Sequence, residues 1–582
     1  MNTISRSEGN TSGMVRHSRN HAPALILVFL FTLYLFGGLL TARVFHTHDS
    51  EYPWIRTKQY ILEMGEGNFP PLLFPDGAGG CGFAFPMYYP PLGYLLSALF
   101  SSLLGSVLLG VNLCFFLSVL FSGLFMYGLA RAVSRNQFIA LVSATIYITV
   151  PYRFCDVFVR GALAECWSLV WYPLIFLGIW RLISDGKLKW YFPVSLGALL
   201  LSHSVMGLYF GFALVLSSPL VFLYRRWRGL GLYVAGGIVA FFLTCWFTLP
   251  QMAYMKDVWV SDKDFIMADT ESVVFHRVLF HQLFYTDPER WRGASWKDDT
   301  DGMSFELGLG HLVAAMALIL ALGRWRKIPG EMDSRALFMG GVGVLSWILC
   351  FLFLLFPGRF IDFLPKKLTY IQFPWRLLGP MAFFSSLCLA GFGRIPARTA
   401  RFSPVLIIVS LLLVASVPNY QKLRDIRYDL TEESLTREFM RNTGSMKGYT
   451  HKGDYYPVSF PAETIEKVHV PDRPSGENAD IQWKALSSGE MDLIVEARED
   501  TRITVPLLYY PFWEVRDRDG RSVGIESKEG FLGFRVKVGK SRYTIRRTRP
   551  APFYIGYFMT ITGAILLIIL QIRQLRKRAV EQ

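Results

Sequence analysis

The run ALILVFLFTLYLFGGLL, residues 24–40, followed after TARVF by HTHDSE, residues 46–51, decides how the chain is read. The apolar run is long enough to cross a bilayer, and no small-residue cleavage site follows it, so it is expected to stay as a membrane helix rather than leave as a signal peptide. Carboxylates just beyond a span are costly unless they face water or a charged partner. Asp49 and Glu51 are therefore candidates for function, and the Gly-, Pro- and aromatic-rich loop up to Pro91 is their setting.

Composition agrees with a membrane chain. Of 582 residues, 52% are hydrophobic and 15% aromatic, and the mean hydropathy of +0.31 is high for a protein surrounded by water. The formal charge of +15 comes from Lys and Arg in small groups between apolar runs, with no continuous basic stripe. That placement reads as membrane topology and excludes a nucleic-acid partner. The seven cysteines show no CxxC or metal spacing, and Cys114, Cys245, Cys350 and Cys388 lie inside apolar runs as packing residues. Cys81 and Cys155 fall in expected outer loops, where geometry decides whether they pair.

The basic loops set a topology with both termini cytoplasmic. Residues 1–23 form a cytoplasmic tail, and 24–418 a transmembrane domain with outer loops at 44–91 and 251–306. Residues 419–550 form an outer domain, and 551–582 the last span with a basic tail. Residues 92–105 are apolar but short and read as an interfacial helix. Spans are expected near 107–130, 137–152, 164–183, 190–203, 205–224, 231–250, 307–323, 337–357, 376–394, 403–418 and 553–572, which with the first makes about 12. In the outer domain, MDLIVEA, RITVPLL, FWEVRD, FRVKV and RYTIRR alternate between turn residues and predict a small β-sandwich. The fold class is thus an α-helical polytopic membrane protein with a small, mostly-β outer soluble domain.

Two carboxylates two apart, as in Asp49 and Glu51, suit a shared divalent cation such as Mg or Mn, or a general base acting on an acceptor hydroxyl. The plainer alternative is a solvated acidic cluster; His48 stands beside it. PYRFCDVFVRGALAE brings Arg153, Arg160 and Glu165 to the outer side, and QFPWR brings Arg376 there. Arginine suits phosphate oxygens, while an Arg160–Glu165 ion pair and a snorkelling Arg376 are the plainer alternatives. His203 sits at an outer turn as a supporting residue. His276 and His281 have no further ligand and are assigned no metal.

HDSEYPWIRTKQYILEMGEGNFPPLLFPDGAGGCGFAFPMYYPPLGYLL, VRGALAE, LLSH, QFPWR and YYPFWEV, in that order, resemble the bacterial membrane proteins described as 6-pyruvoyl-tetrahydropterin synthase related, which are similar to GT-C glycosyltransferases. The chain lacks the histidine cluster of the soluble pterin enzyme. The resemblance implies a helical body, an essential acidic residue in the first outer loop, and an outer soluble domain. Asp49 matches the acidic position, with Glu51 as its metal-sharing partner, and the implied donor is a sugar on a polyprenyl phosphate. Arg153, Arg160 and Arg376 are then candidates for the phosphate. The expected function is sugar transfer to a glycan, lipid or protein acceptor at the outer face of a bacterial inner (plasma) membrane. A transporter or flippase of lipid-linked sugars, and an inactive GT-C-fold partner in envelope polysaccharide assembly, are the alternatives.

Overall fold

The structure, a computed structural model, describes residues 21–261 apart from 46 and 50, residue 283, 305–308, 310, 311, 314, 334–356, 373–392, 426–427, 430–443, 454–461, and 473–581 apart from 487 and 488. Its helices are α1 (Ala22–Phe36), α2 (Tyr52–Gly65), α3 (Phe85–Tyr88), α4 (Leu92–Leu104), α5 (Val107–Ser134), α6 (Gln137–Ile148), α7 (Pro151–Phe154) and α8 (Leu163–Asp185), then α9 (Tyr191–Ser202), α10 (Ser204–Tyr254), α11 (Ser334–Leu355), α12 (Leu378–Phe392), α13 (Arg437–Thr443) and α14 (Ala551–Glu581). Local chemistry sets several ends. Ser106 caps α5 by accepting from Leu109 N at 3.1 Å, and Asn136 caps α6 by accepting from Phe138 N at 2.9 Å. Glu432 adds a distant cap, its Oε1 accepting from Leu108 N at 2.8 Å, so the approach to the β domain is tied to the start of α5.

Among the described residues, six helices are long and apolar enough to cross a membrane, or seven if α6 and the segment Pro151–Arg160, bent by 48°, count as one broken span. The expected span near 403–418 lies outside the described residues, and that near 307–323 is described only at 307, 308, 310, 311 and 314. The helix at 92–105 is present as short, apolar α4. The expected spans at 205–224 and 231–250 are both present within α10, which breaks at Arg226 (φ +52°) and folds back, so that Ser217 Oγ and Tyr233 OH stand 3.0 Å apart. Sixteen residues of unbroken helix would hold those two hydroxyls about 24 Å apart, so the basic group marks a turn between two helices. The span at 137–152 breaks before Pro151, whose ring excludes helical geometry for its predecessor. Cys81 and Cys155 are buried thiols, and no disulfide links them.

The alternating runs form two antiparallel sheets. One has the order β3 (Ser475–Gly476), β6 (Thr501–Leu508), β10 (Phe531–Val536), β9 (Ile525–Lys528); the other has β4 (Ala479–Ala485), β5 (Met491–Ala497), β11 (Gly539–Arg547), β7 (Trp513–Asp517), β8 (Ser522–Val523). In β5, Met491, Leu493, Val495 and Ala497 turn inward, as the alternation in MDLIVEA predicts. Phe534 of one sheet meets Tyr543 of the other with ring centroids 5.1 Å apart. A separate pair, β1 (Val44–Phe45) with β2 (Ile426–Arg427), joins the end of the first span to the chain leading into this domain.

The β domain and the first loop share one core. Tyr510, Phe512 and Trp513 of YYPFWEV are buried, and Leu508 N donates to Cys81 O at 2.9 Å. Two ionic ties reinforce the junction. Asp76, fully buried, accepts from Arg437 at 3.1 Å and Arg441 at 2.8 Å, and buried Arg547 donates to Glu63 at 2.7 Å. Burial pushes the Glu63 carboxyl up to about 7, with Arg547 opposing. A carboxyl that holds its proton more tightly folded than unfolded favours folding most at low pH. That contribution is lost as pH rises from about 4.5 through about 7. Thermal unfolding in detergent is expected to show lower stability at pH 8 than at pH 5, and Glu63→Gln to flatten the difference by up to about 3 kcal/mol. An unchanged pH dependence in the variant would show that Glu63 does not contribute.

Candidate functional site

The acidic turn is built onto the start of α8. His48 N donates to Val159 O at 2.8 Å, and Asp49 N to Arg160 O at 3.0 Å. The partners belong to a π-helical turn, Cys155–Arg160, which ends at Gly161 with φ +67°. A Cβ on Gly161 would lie 2.5 Å from Thr47 Oγ1, so only glycine permits both the left-handed turn and the close passage of the loop. Asp49 O then accepts from Tyr52 N at 3.1 Å, and Glu51 O from Trp54 N at 3.1 Å, starting α2 with Pro53 in its first turn. Asp49, Glu51 and His48 are all half-buried.

Beneath this turn lies a buried charge cluster. Arg160 Nη1 is 2.6 Å from Asp156 Oδ1 and 2.7 Å from Glu165 Oε2, and donates to Tyr152 OH at 2.9 Å. Tyr152 OH in turn donates to Glu165 Oε1 at 2.5 Å. From another part of the chain, Arg376 Nε approaches Glu165 Oε2 to 3.4 Å, with its guanidinium 4.8 Å from the Phe373 ring centre. Glu165 thus holds two arginines at once. Arg160 is committed to two carboxylates, which is the ion-pair alternative of the sequence, whereas Arg376 keeps more of its donor capacity. Arg153 is not brought to this face: it is completely buried, donating to Cys166 O at 3.3 Å and Ser122 Oγ at 3.2 Å. Those partners absorb its charge inside the bundle.

Above the cluster stands a set of rings enclosing a cation that the sequence reading passed over. Arg56, on α2, lies 4.2 Å from the Phe85 ring centre and 4.8 Å from that of Tyr52, and donates to Tyr94 OH at 2.9 Å. Burial opposes its charge, but Tyr94 and Asp49 beside it more than offset this and hold its pKa above the ordinary value. Half-exposed Tyr89 is pushed up by burial, Tyr94 and Asp49, with Arg56 opposing. Its ring centre is 6.3 Å from that of His203 and 6.4 Å from that of Tyr455. His203 caps α10 by accepting from Met206 N on Nδ1 at 3.4 Å, so its proton is assigned to Nε2. Tyr455 arrives from a distant segment, its carbonyl accepting from Tyr510 OH at 3.0 Å. A usable signal for Arg56 was present, since Tyr52 and Arg56 stand four apart at the start of a helix next to the acidic turn. Tyr455 carried none.

Together these groups bring one acidic turn, two arginines and several ring faces close to one another. Such a grouping suits an anion beside a ring-shaped polar molecule. Asp49 and Glu51 supply two carboxylates, a set that suits a magnesium-type ion completing its shell from water and substrate phosphate. Among the described residues, no group of three or more His, Cys, Asp or Glu could hold a metal.

The oligosaccharyltransferase of Archaeoglobus fulgidus in its apo form is similar at 12% identity and a TM-score of 0.41, over 78% of this chain and 60% of that one. This chain therefore spans about three-fifths of that protein's length. ArnT from Cupriavidus metallidurans in the apo state is similar at 13% identity and a TM-score of 0.35, over 73% and 69% of the two chains. The arabinofuranosyltransferase AftD from Mycobacteria is similar at 14% identity and a TM-score of 0.38, over 69% and 26%. No curated protein matches the sequence. Residues 87–261 match the family model described as "6-pyruvoyl-tetrahydropterin synthase related domain; membrane protein". That stretch includes the Arg160–Glu165 cluster and His203.

Proposed function

We propose that the chain is a membrane glycosyltransferase with a GT-C-like fold, moving a sugar from a polyprenyl-phosphate donor to an envelope glycan, lipid or protein acceptor at the outer face of a bacterial plasma membrane. The observation that carries this reading is the attachment of Asp49 to the Val159–Arg160 backbone beside Arg56, Tyr52 and Tyr89, with Tyr89 in turn facing Arg376 and Tyr455. In the transfer, the bond between the anomeric carbon and the lipid phosphate oxygen breaks as a bond from the acceptor hydroxyl forms. Positive charge grows on the sugar and negative charge on the leaving phosphate. Arg376 and Arg56 stabilise the phosphate, and Asp49 takes the proton of the acceptor hydroxyl. Glu165 keeps Arg376 in position, and Tyr89 offers a face to the sugar ring. A divalent cation held by Asp49 and Glu51 would supply further positive charge towards the phosphate.

One observation favours a second reading. The broken span of α6 and Pro151–Arg160 carries buried Arg153 and Asp156, and interrupted spans with internal charges suit transport of a lipid-linked sugar.

Purified protein in lipid, offered radiolabelled polyprenyl-phosphate sugars and envelope extract, is expected to transfer label, with Asp49→Asn about 10²- to 10⁴-fold slower. Equal rates would remove Asp49 from the chemistry. Movement of the donor between leaflets without any transfer product would establish transport instead.

Two arginine variants separate substrate binding from folding. Arg376→Gln is expected to raise KM for the donor about tenfold or more with little loss of thermal stability. Arg160→Ala, by contrast, leaves Asp156 and Glu165 without their nearest counter-charge and is expected to destabilise the fold by about 3–5 kcal/mol. Thermal unfolding and donor-saturation curves check both, and the reverse pattern would exchange the two roles.

A further inference from the structure

We propose that the recess at the start of α14 binds the phosphodiester headgroup of an anionic phospholipid, independently of the sugar-transfer site. The recess has a volume of about 420 Å³ and is lined by Phe69, Pro70, Trp246, Arg549, Tyr554 and Tyr557. None of these belongs to the acidic turn or its charge cluster. Arg549 is fixed by donating through Nη2 to Pro70 O at 3.0 Å, while its Nε is buried with no hydrogen-bond partner. The Tyr557 hydroxyl is buried beside that guanidinium and interacts with it. Accepting from Arg549 leaves the hydroxyl proton to donate, so it and the Arg549 Nε–H call for an acceptor, and phosphate oxygens suit both.

Depth and charge narrow the ligand. Arg549 immediately precedes the membrane-crossing stretch Ala551–Arg573, so it lies where headgroups lie, among the aromatic residues that favour that level. Among the described residues no carboxylate lines the recess, so a headgroup bearing its own cation finds no partner there, whereas a purely anionic one is matched.

The acyl chain has a track. Tyr554, Phe558, Ile561 and Ile565 are 63%, 72%, 60% and 51% exposed, and their spacing of four, three and four places them on one face of α14. The other face is held against α10. A Cβ on Gly556 would lie 2.3 Å from Cys245 O, one on Gly563 would lie 2.7 Å from Phe242 Cβ, and Thr560 Oγ1 accepts from Trp246 N at 2.9 Å. The helix therefore cannot turn its apolar stripe inward, and the stripe runs from the recess along the hydrocarbon.

The test is native mass spectrometry of the full-length protein in detergent, titrated with phosphatidylglycerol or phosphatidylcholine of the same acyl composition, with inorganic phosphate as competitor. The parent is expected to retain phosphatidylglycerol about tenfold more tightly than phosphatidylcholine, and Arg549→Gln to abolish that preference. Tyr557→Phe removes only a hydroxyl, keeps the ring packing, and is expected to weaken retention about threefold. Equal retention of the two lipids by the parent, or an unchanged preference in both variants, would overturn the proposal. So would displacement of the lipid by equimolar inorganic phosphate, which marks a site for free anions, or a dimer lost on Phe558→Ser, which marks the stripe as a protein interface. Sugar transfer is read separately, so failure of either proposal leaves the other standing.

Discussion

Two backbone hydrogen bonds, from His48 and Asp49 to Val159 and Arg160, hold the whole arrangement in place. They join the first loop to the break between two membrane segments, elements more than a hundred residues apart in sequence. The contact exists only because Gly161 has no Cβ to strike Thr47. Backbone bonds matter here because they set the position of Asp49 whatever its protonation state. A carboxylate placed only by an ion pair would shift as it titrates or as a substrate competes for its partner. Asp49 has its main chain fixed and its side chain left for other work.

The charges under that turn are expensive to bury. Arg153, Asp156, Arg160 and Glu165 are nearly or fully enclosed, and each needs partners of its own to offset lost hydration. The structure meets this by sharing: Arg160 serves both carboxylates, Tyr152 closes the ring of hydrogen bonds to Glu165, and Arg153 turns inward to a carbonyl and a hydroxyl. Apolar residues of equal volume would stabilise the bundle as well or better, so stability alone does not account for the cluster. Its geometric effect is to bring Arg376, from a separate helix start, to the same carboxylate that organises the π-helical turn.

The elements most legible in the sequence were those whose signal is local. The paired sheets followed from alternation in strands such as β5, the short helix α4 from the length of its apolar run, and the Arg160–Glu165 pair from close spacing. The turn at 225–228 followed from its three arginines, because charge usually ends a span. The failures have local causes too. Arg153 and Arg160 look alike in sequence, and their opposite orientations depend on the π-helical turn between them, for which no residue signature exists. Tyr455 reaches the site through the partners of its segment, Val260 and Tyr510, and that is tertiary information throughout.

The β domain belongs to the same physical unit as the site. Its core is continuous with the loop that bears Phe85 and Tyr89, and Arg547, Arg437, Arg441 and the Leu508–Cys81 bond clamp α2 and the loop after it. Arg56 rides on α2, so its position beside Asp49 is set from both sides: by the acidic turn at the helix start and by Glu63, two turns on, in the grip of the β domain. A loop of prolines and glycines standing alone would sample many shapes and lose entropy on binding. Packed under a folded domain, it has already met that cost, and its side chains are in place before any ligand arrives.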